Sequence, residues 1–448
     1  MHEFWTYFAR RAAWAPARPN RAKLMDSGFG SDTSVEGAPI PLRRNRGFGL
    51  LMAGQFASSL GSGIAAIAIP LILLEVTGSA ATAGTIAGAT SLLSVGVGLL
   101  AGVYADRWPR RLTLIVSALV ASVSWGVCAV VLSIDGPASI AVATAAGLST
   151  LAMTFFQPAQ NGAVRNLVSR DQLPQAIAID DARDTIAGLI GSPVGGVLIT
   201  LGSALTVLAN SVGYLIAAIC ITVITAPLGP HRVVTTDAGA ESSRSYVRGV
   251  LSDALAGLRH IWSTPAIRLT FITACALNLP FLGIQFAIVI GLGSIGTQPY
   301  LIALTEVAAG LGGVAGAALV GPLNKRFTLG MQVVLTAALA AVTGLLIACA
   351  FPNVWWLLPA CFANVLFIPA LNGALMGYLF GSGPEEMTGR LGSAAQVAAG
   401  IFVPFSPFLA GVLVEVWSGR AALFVFVGVL GLIAVILAAS PSIRRLKL

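Results

Sequence analysis

The chain breaks into twelve apolar runs, each of about 20 residues, separated by short polar stretches. Coiled as a helix, a run of that length crosses a hydrocarbon layer of ~30 Å. Of 448 residues, 56% are hydrophobic and 10% charged, more apolar surface than a water-soluble core can take up. A membrane barrel is excluded because its strands alternate in polarity every second residue, and these runs do not. The pattern predicts an all-α integral membrane protein. Twelve transmembrane helices are expected near 48–74, 81–103, 112–133, 137–164, 176–201 and 204–226, then 266–291, 298–322, 329–350, 353–380, 390–414 and 420–440. An even number of spans puts both termini on one side.

The loop Gly102-Val-Tyr-Ala-Asp106-Arg107-Trp108-Pro109-Arg110-Arg111 identifies that side. A charge at mid-bilayer costs on the order of 2.5–3.5 kcal/mol, so this segment is a turn at a membrane surface. Three arginines in so short a loop mark the cytoplasmic surface. On the resulting topology Arg420 alone among the 26 Lys and Arg residues faces outside. The net charge of +8 therefore records orientation in a bacterial-type plasma membrane, not affinity for nucleic acid. Both termini are expected in the cytoplasm.

The expected organisation is a basic, disordered cytosolic tail over 1–47, a six-helix bundle over 48–226, a cytosolic linker over 227–265, a second six-helix bundle over 266–440 and a short tail over 441–448. Within the linker, Val247, Val250, Leu251, Ala254, Leu255, Leu258, Ile261 and Trp262 follow a 3.6-residue period, which predicts an amphipathic helix lying on the membrane surface. The halves repeat. Pro158-Ala-Gln-Asn161-Gly-Ala163 returns as Pro369-Ala-Leu-Asn372-Gly-Ala374, and Ser192-Pro193 with Gly196-Val-Leu198 returns as Ser406-Pro407 with Gly411-Val-Leu413. Gly102 with Arg107-Trp108 corresponds to Gly321 with Arg326-Phe327. Three matches in order at nearly one offset imply two pseudo-symmetric bundles. In such folds solutes bind at the interface between repeats, near the bilayer midplane.

The spacing Gly-x-x-x-Asp-Arg-x-x-Arg-Arg between the second and third spans resembles the signature loop of the major facilitator superfamily, with Pro109 where the family usually has Gly. The wording around it is similar to the macrolide-efflux and enterobactin-exporter-like branch. The resemblance implies that Asp106, Arg107, Arg110 and Arg111 latch the two halves on the cytoplasmic side. The alternative is a positive-inside anchor with one stray acid.

In the fifth span Asp184, Gly188, Ser192 and Gly196 are spaced by four and share one face, with Pro193 weakening the backbone beside them. The pattern resembles the proline-and-glycine motif of drug-exporting antiporters, with Ser192 in place of the Gly before the proline and Val197 in place of the last Gly. A kinked packing helix is the other reading, and either way the segment is expected to move.

Asp184 lies about 12 Å into its span and Glu306 about 12 Å into the eighth. An acid within the membrane is a functional candidate by default, because desolvation favours the neutral form that carries a proton. The resemblance places the fifth and eighth spans face to face, so Asp184 and Glu306 are the expected proton-coupling pair. Arg183 beside Asp184, and the Asp180–Arg183 spacing, leave an ion-pair network as the alternative. The fourth span has no Arg before Arg165, and Gly61 is followed by Ser62 where related exporters often carry an acid. The coupling ion therefore stays open.

Gln55, Gln157, Asn161, Asn278, Gln285 and Asn372 are expected to line the central cavity, with Gln160, Asn364, Gln396, Phe155, Phe156, Phe281 and Phe367 near them. Amides with aromatic rings suit an amphipathic organic solute. The five cysteines lie in apolar runs without metal-ligand spacing. There is no phosphate-binding loop or nucleophile–base pair, so neither an enzyme nor a cofactor is expected. The reading is a monomeric secondary transporter exporting a hydrophobic or amphipathic small molecule by proton antiport. Uptake of a small nutrient by the same fold, or a non-transporting sensor, are the alternatives.

Overall fold

The computed structural model describes residues 41–105, 108–134, 136–229, 265–381 and 402–440, with 259, 262, 263 and 400 between them. The expected tail up to residue 40, Asp106 and Arg107, nearly all of the linker's amphipathic stretch, Gln396 and the end 441–448 lie outside the described residues. No strand occurs among the described residues. The first half holds α1 (Arg46–Thr77), α2 (Ala80–Ala105), α3 (Arg110–Ser133), α4 (Ala138–Leu167), α5 (Leu173–Leu201) and α6 (Ser203–Val223). The second holds α7 (Pro265–Ser294), α8 (Pro299–Arg326), α9 (Leu329–Ala350), α10 (Val354–Val365), α11 (Ile368–Gly381), α12 (Phe405–Val416) and α13 (Gly419–Ala439). Among the described residues eleven segments are long and apolar enough to cross a membrane, α10 and the start of α11 forming one of them, and the shorter apolar α12 adds to these. The protein is a multi-pass membrane protein.

The tenth expected span, 353–380, is two helices. Pro369 has no N–H for the Val365 carbonyl and its ring crowds that carbonyl, so the helix breaks at Leu366–Phe367. Gly312 and Gly316 of α8 lie directly on the carbonyls of Phe362 and Leu366 at this break, where a side chain would not fit. The matching Pro158 stays inside a continuous α4.

Both halves are built on one packing scheme. In the first, α1 packs on α5 and α6, α3 on α4 and α6, and α2 on α4. In the second, α7 packs on α12 and α13, α9 on α10 and α13, and α8 on α10 and α11. Across the halves α2 meets α12, α5 meets α8, and α1 meets α7. Helices at the periphery keep apolar residues outward: Leu112, Val116, Val123, Val127 and Val130 form an exposed stripe along α3. Such a stripe would be costly in water and is neutral against lipid.

The helix ends form two surfaces. The basic end carries Arg43, Arg44, Arg46, Arg110, Arg111, Arg165, Lys325 and Arg326 at helix termini. There Asn45 caps α1, accepting from Phe48 N at 3.0 Å while its amide donates to Leu167 O at 2.6 Å and pins α1 to the end of α4. The opposite, far end has few charges. Its Arg420 donates to Cys349 O at 3.4 Å and to Phe351 O, completing the terminal carbonyls of α9.

Candidate functional site

The spacing of the halves changes along the molecule. At the far end α5 touches α8: a Cβ on Gly196 would stand 2.7 Å from Ala303 Cβ and 2.8 Å from Tyr300 Cα. A Cβ on Gly88 of α2 would stand 2.7 Å from Pro404 O beside α12, and Gly84 and Gly411 are in backbone contact. Further along, the contacts are made by side chains, with Leu189 against Gly310 and Val95 beside Gly400. Gly188 of α5 and Gly96 of α2 have nothing within 4 Å of a Cβ position among the described residues. The closest backbone approaches between the halves thus lie at the far end.

The glycines of α5 divide into two sets. Gly191 and Gly195 sit against the backbone of α1 at Leu60, Gly63 and Ile64, within one half, while Gly196 faces α8. Ser192 Oγ donates back to Gly188 O at 3.3 Å, one turn earlier on the same helix. The spacing of four therefore describes one face only near its far-end tip, where Gly196 makes contact.

The charged cluster opening α5 is mostly paired. Arg183 donates to Asp180 Oδ1 at 2.9 and 3.0 Å and to Ser59 Oγ of α1 at 2.7 Å, and Gln160 of α4 donates to Asp180 Oδ2 at 3.2 Å. One network ties three helices. Asp184 lies 3.9 Å from Arg183 Nη2 with its side chain 68% exposed, so it faces open space and not an apolar interior.

Glu306 differs from Asp184 on every count. It is half-buried on α8 and makes no hydrogen bond or ion pair among the described residues. The contacts Gly196–Ala303 and Leu189–Gly310 set the register of α5 on α8. They put Glu306 level with the Ser192-Pro193 step, and Asp184 about 12 Å nearer the basic end at 1.5 Å per residue.

The second half encloses a cavity of about 210 Å³ between α7, α10 and α11, with Asn278, Phe281, Gln285, Asn364 and Asn372 in its wall. Spacings of three and four place Asn278, Phe281 and Gln285 on one face of α7. Asn278, Gln285 and Asn372 make no hydrogen bond among the described residues. Asn364 is committed to packing, donating to Thr343 Oγ1 at 2.9 Å and Ala340 O at 3.1 Å on α9.

The first half is arranged differently. Gln157 and Asn161 lie exposed on one face of α4, whereas Gln55 is enclosed in the bundle, 1% exposed, with both amide atoms unpaired. A cavity of about 270 Å³ opens among α1, α3, α4 and α6, lined by Ser62, Trp125, Ser149, Thr150, Asn210 and Tyr214. Ser62 Oγ bonds Tyr214 Oη at 3.0 Å. In the amide orientation that satisfies both partners, Asn210 donates to Gly61 O at 3.1 Å and accepts from Trp125 Nε1 at 3.3 Å. The sequence reading did not anticipate this polar set. Its one signal was the run of single polar residues inside otherwise apolar spans.

The described members of the basic loop bind within the first half. Arg110 folds over Gly162 and donates to its carbonyl at 3.4 Å, Arg111 donates to Thr222 O of α6 at 2.5 Å, and Trp108 stacks on Phe155 with ring centroids 5.9 Å apart.

Residues 51–329 match the family described as the Major Facilitator Superfamily. The multidrug efflux pump Tap of Mycolicibacterium fortuitum is 26% identical over 418 residues, which span 89% of this chain and 97% of that protein. A bacterial homologue of the iron transporter ferroportin, in an inward-facing state, superposes with a TM-score of 0.69 at 14% identity, covering 89% of this chain and 99% of that one. The nucleoside transporter NupG superposes with a TM-score of 0.64 at 14% identity, covering 88% of this chain and 98% of that one.

Proposed function

Because the chain belongs to the major facilitator superfamily, we propose that it exports hydrophobic or amphipathic small molecules by rocking its two halves about a central site, driven by inward proton flow. The observation that carries this reading is the group of three unpaired amides, Asn278, Gln285 and Asn372, set with Phe281 in a largely apolar cavity wall. Unpaired donors and acceptors in a greasy wall suit a solute that brings a few polar groups on a large apolar body. The likeness to a protein named a multidrug efflux pump over nearly the full length supports export over uptake.

The basic end faces the cytosol in this reading, by the charge rule for membrane loops. In this reading the halves part on the inside, where an exporter loads. Glu306 is the proton carrier of choice. It is unpaired and stands level with Ser192-Pro193, so a change in its charge acts on the α5–α8 contact. Asp184 is exposed and close to Arg183, which suits an entry position better than a carrier. On this proposal the protein works as a monomer in a bacterial inner membrane.

Everted membrane vesicles with an inside-acid gradient test this. Collapse of the gradient on adding one member of a panel of lipophilic drugs and siderophores, lost in Glu306→Gln, is the expected result. A gradient that no solute disturbs, together with solute accumulation in whole cells, would reverse the direction assigned.

A further inference from the structure

Glu415 occupies an unfavourable place on its own helix. It is the penultimate residue of α12, whose carboxyl end repels a negative charge. The carboxylate is satisfied elsewhere, across the division between the halves. Glu415 Oε2 accepts from Ser79 Oγ at 2.6 Å and from Ala81 N at 2.7 Å, at the start of α2. Ser79 Oγ in turn accepts from Thr82 N at 3.0 Å, so it caps α2 while donating to Glu415. The first turn of α2 holds no acid of its own. A helix start of this kind commonly carries a Glu or Gln three residues after the capping serine. Here that position is Thr82, and the acid arrives from the other half of the molecule.

We infer that Glu415 and the start of α2 form a latch that holds the far end closed. The inference rests on the reading that the halves rock. When the far end is shut, Glu415 exchanges its own helix's repulsion for the attractive amino end of α2, and Ser79 is oriented to cap. When the far end opens, both gains vanish together: α2 loses its borrowed acid, and Glu415 is left at a negative helix end. The backbone contact of Gly84 with Gly411, about one turn further in, lets the two helices approach closely enough for the carboxylate to reach. Glu75 supplies an internal comparison. It is also an acid at the far end of its helix, but it accepts from Ser203 Oγ at 3.0 Å, and both residues belong to the first half. Its bond is indifferent to rocking.

Distance measurements between spin labels test the latch. Labels at Leu205→Cys and Trp355→Cys, exposed at the far ends of the two halves, would be read in full-length protein in lipid nanodiscs with the native cysteines replaced. Glu415→Gln keeps the side-chain length and removes the charge. It is expected to raise the long-distance fraction several-fold, with Glu75→Gln leaving the distribution as in the parent. Ser79→Ala is expected to act in the same direction, and the double variant to exceed Glu415→Gln by less than the sum. An unchanged distribution in Glu415→Gln, alongside a long-distance fraction that responds to an added exported solute, overturns the latch and leaves rocking intact. An equal shift in Glu75→Gln also overturns it, since surface charge would then be the cause. A single distance in every variant and with every solute overturns rocking itself, and the latch with it.

Discussion

Ala303 of α8 stands where a methyl group on Gly196 of α5 would have to go. The two helices meet there backbone to side chain, and the contact closes the far end of the interface. Gly196→Ala forces them apart or displaces Tyr300, at a cost of about 1–3 kcal/mol for overpacking. Since 1.4 kcal/mol is a factor of about ten in an equilibrium, transport is expected to fall by roughly that factor or more, measured as solute-dependent gradient collapse. Gly188→Ala, two turns away on the same face, enters open space. It is expected to leave transport unchanged and to raise thermal stability by roughly 0.5–1 kcal/mol, the ordinary gain of Ala over Gly in a helix.

Arg183 joins α5 to α1 through Ser59 and holds the charge of Asp180. Its side chain is 10% exposed and that of Asp180 19%, so neither is fully screened by solvent. Arg183→Ala strands a largely buried carboxylate and is expected to cost about 1–3 kcal/mol in thermal unfolding. Adding Asp180→Asn removes the stranded charge, so the double variant is expected to be more stable than Arg183→Ala alone. A double variant that loses the full sum of the single effects would show that the pair does not act as a unit.

Asn364 and Asn372 line one cavity but carry different loads. Asn364 is bonded to α9, and Asn364→Ala is expected to lower the unfolding temperature. Asn372→Ala, Asn278→Ala and Gln285→Ala break no bond among the described residues and are expected to leave that temperature unchanged. Each instead raises the apparent KM for a solute that bonds it, by about 2- to 12-fold for a lost bond of roughly 0.5–1.5 kcal/mol. Equal losses of stability in all four variants would show that the three amides are packing residues.

Glu306→Gln preserves volume and removes the group that can take up and release a proton. Exchange of labelled for unlabelled solute across a vesicle membrane needs no net proton movement and is expected to persist in this variant. Concentrative transport driven by a pH gradient is expected to be lost. Persistence of both would make Glu306 a packing acid, and loss of both would point to a structural role.

A good deal of this is legible in the amino-acid sequence. Runs of about 20 apolar residues are self-sufficient signals, because in hydrocarbon each helix satisfies its own backbone and must do so in sequence. The repeats Pro158/Pro369 and Ser192/Ser406 carried the two-fold organisation, and the structure adds that helix pairs are matched one for one between the halves. The sequence also put Asn278 and Gln285 among the expected cavity-lining amides, and both line the cavity of the second half. What spacing could not say is which face meets which neighbour. Gly188 and Gly196 belong to one row of residues spaced by four, yet one meets open space and the other meets α8. Asp184 and Glu306 are at equal depth by counting residues, yet one is exposed beside an arginine and the other is half-buried and unpaired. Gln55 and Gln157 are both lone amides in apolar spans, and only Gln157 is exposed.

The sequence by itself determined the solvent, the number of crossings and the repeat, since those depend on local composition and on the length of a helix relative to a bilayer. Tertiary structure alone decided which acids pair, which glycines are contacts and which carboxylate caps another half's helix. Those outcomes depend on distances of a few ångströms between residues as remote as Ser79 and Glu415, and on the angle at which one half leans on the other, neither of which is encoded in any single stretch of the chain.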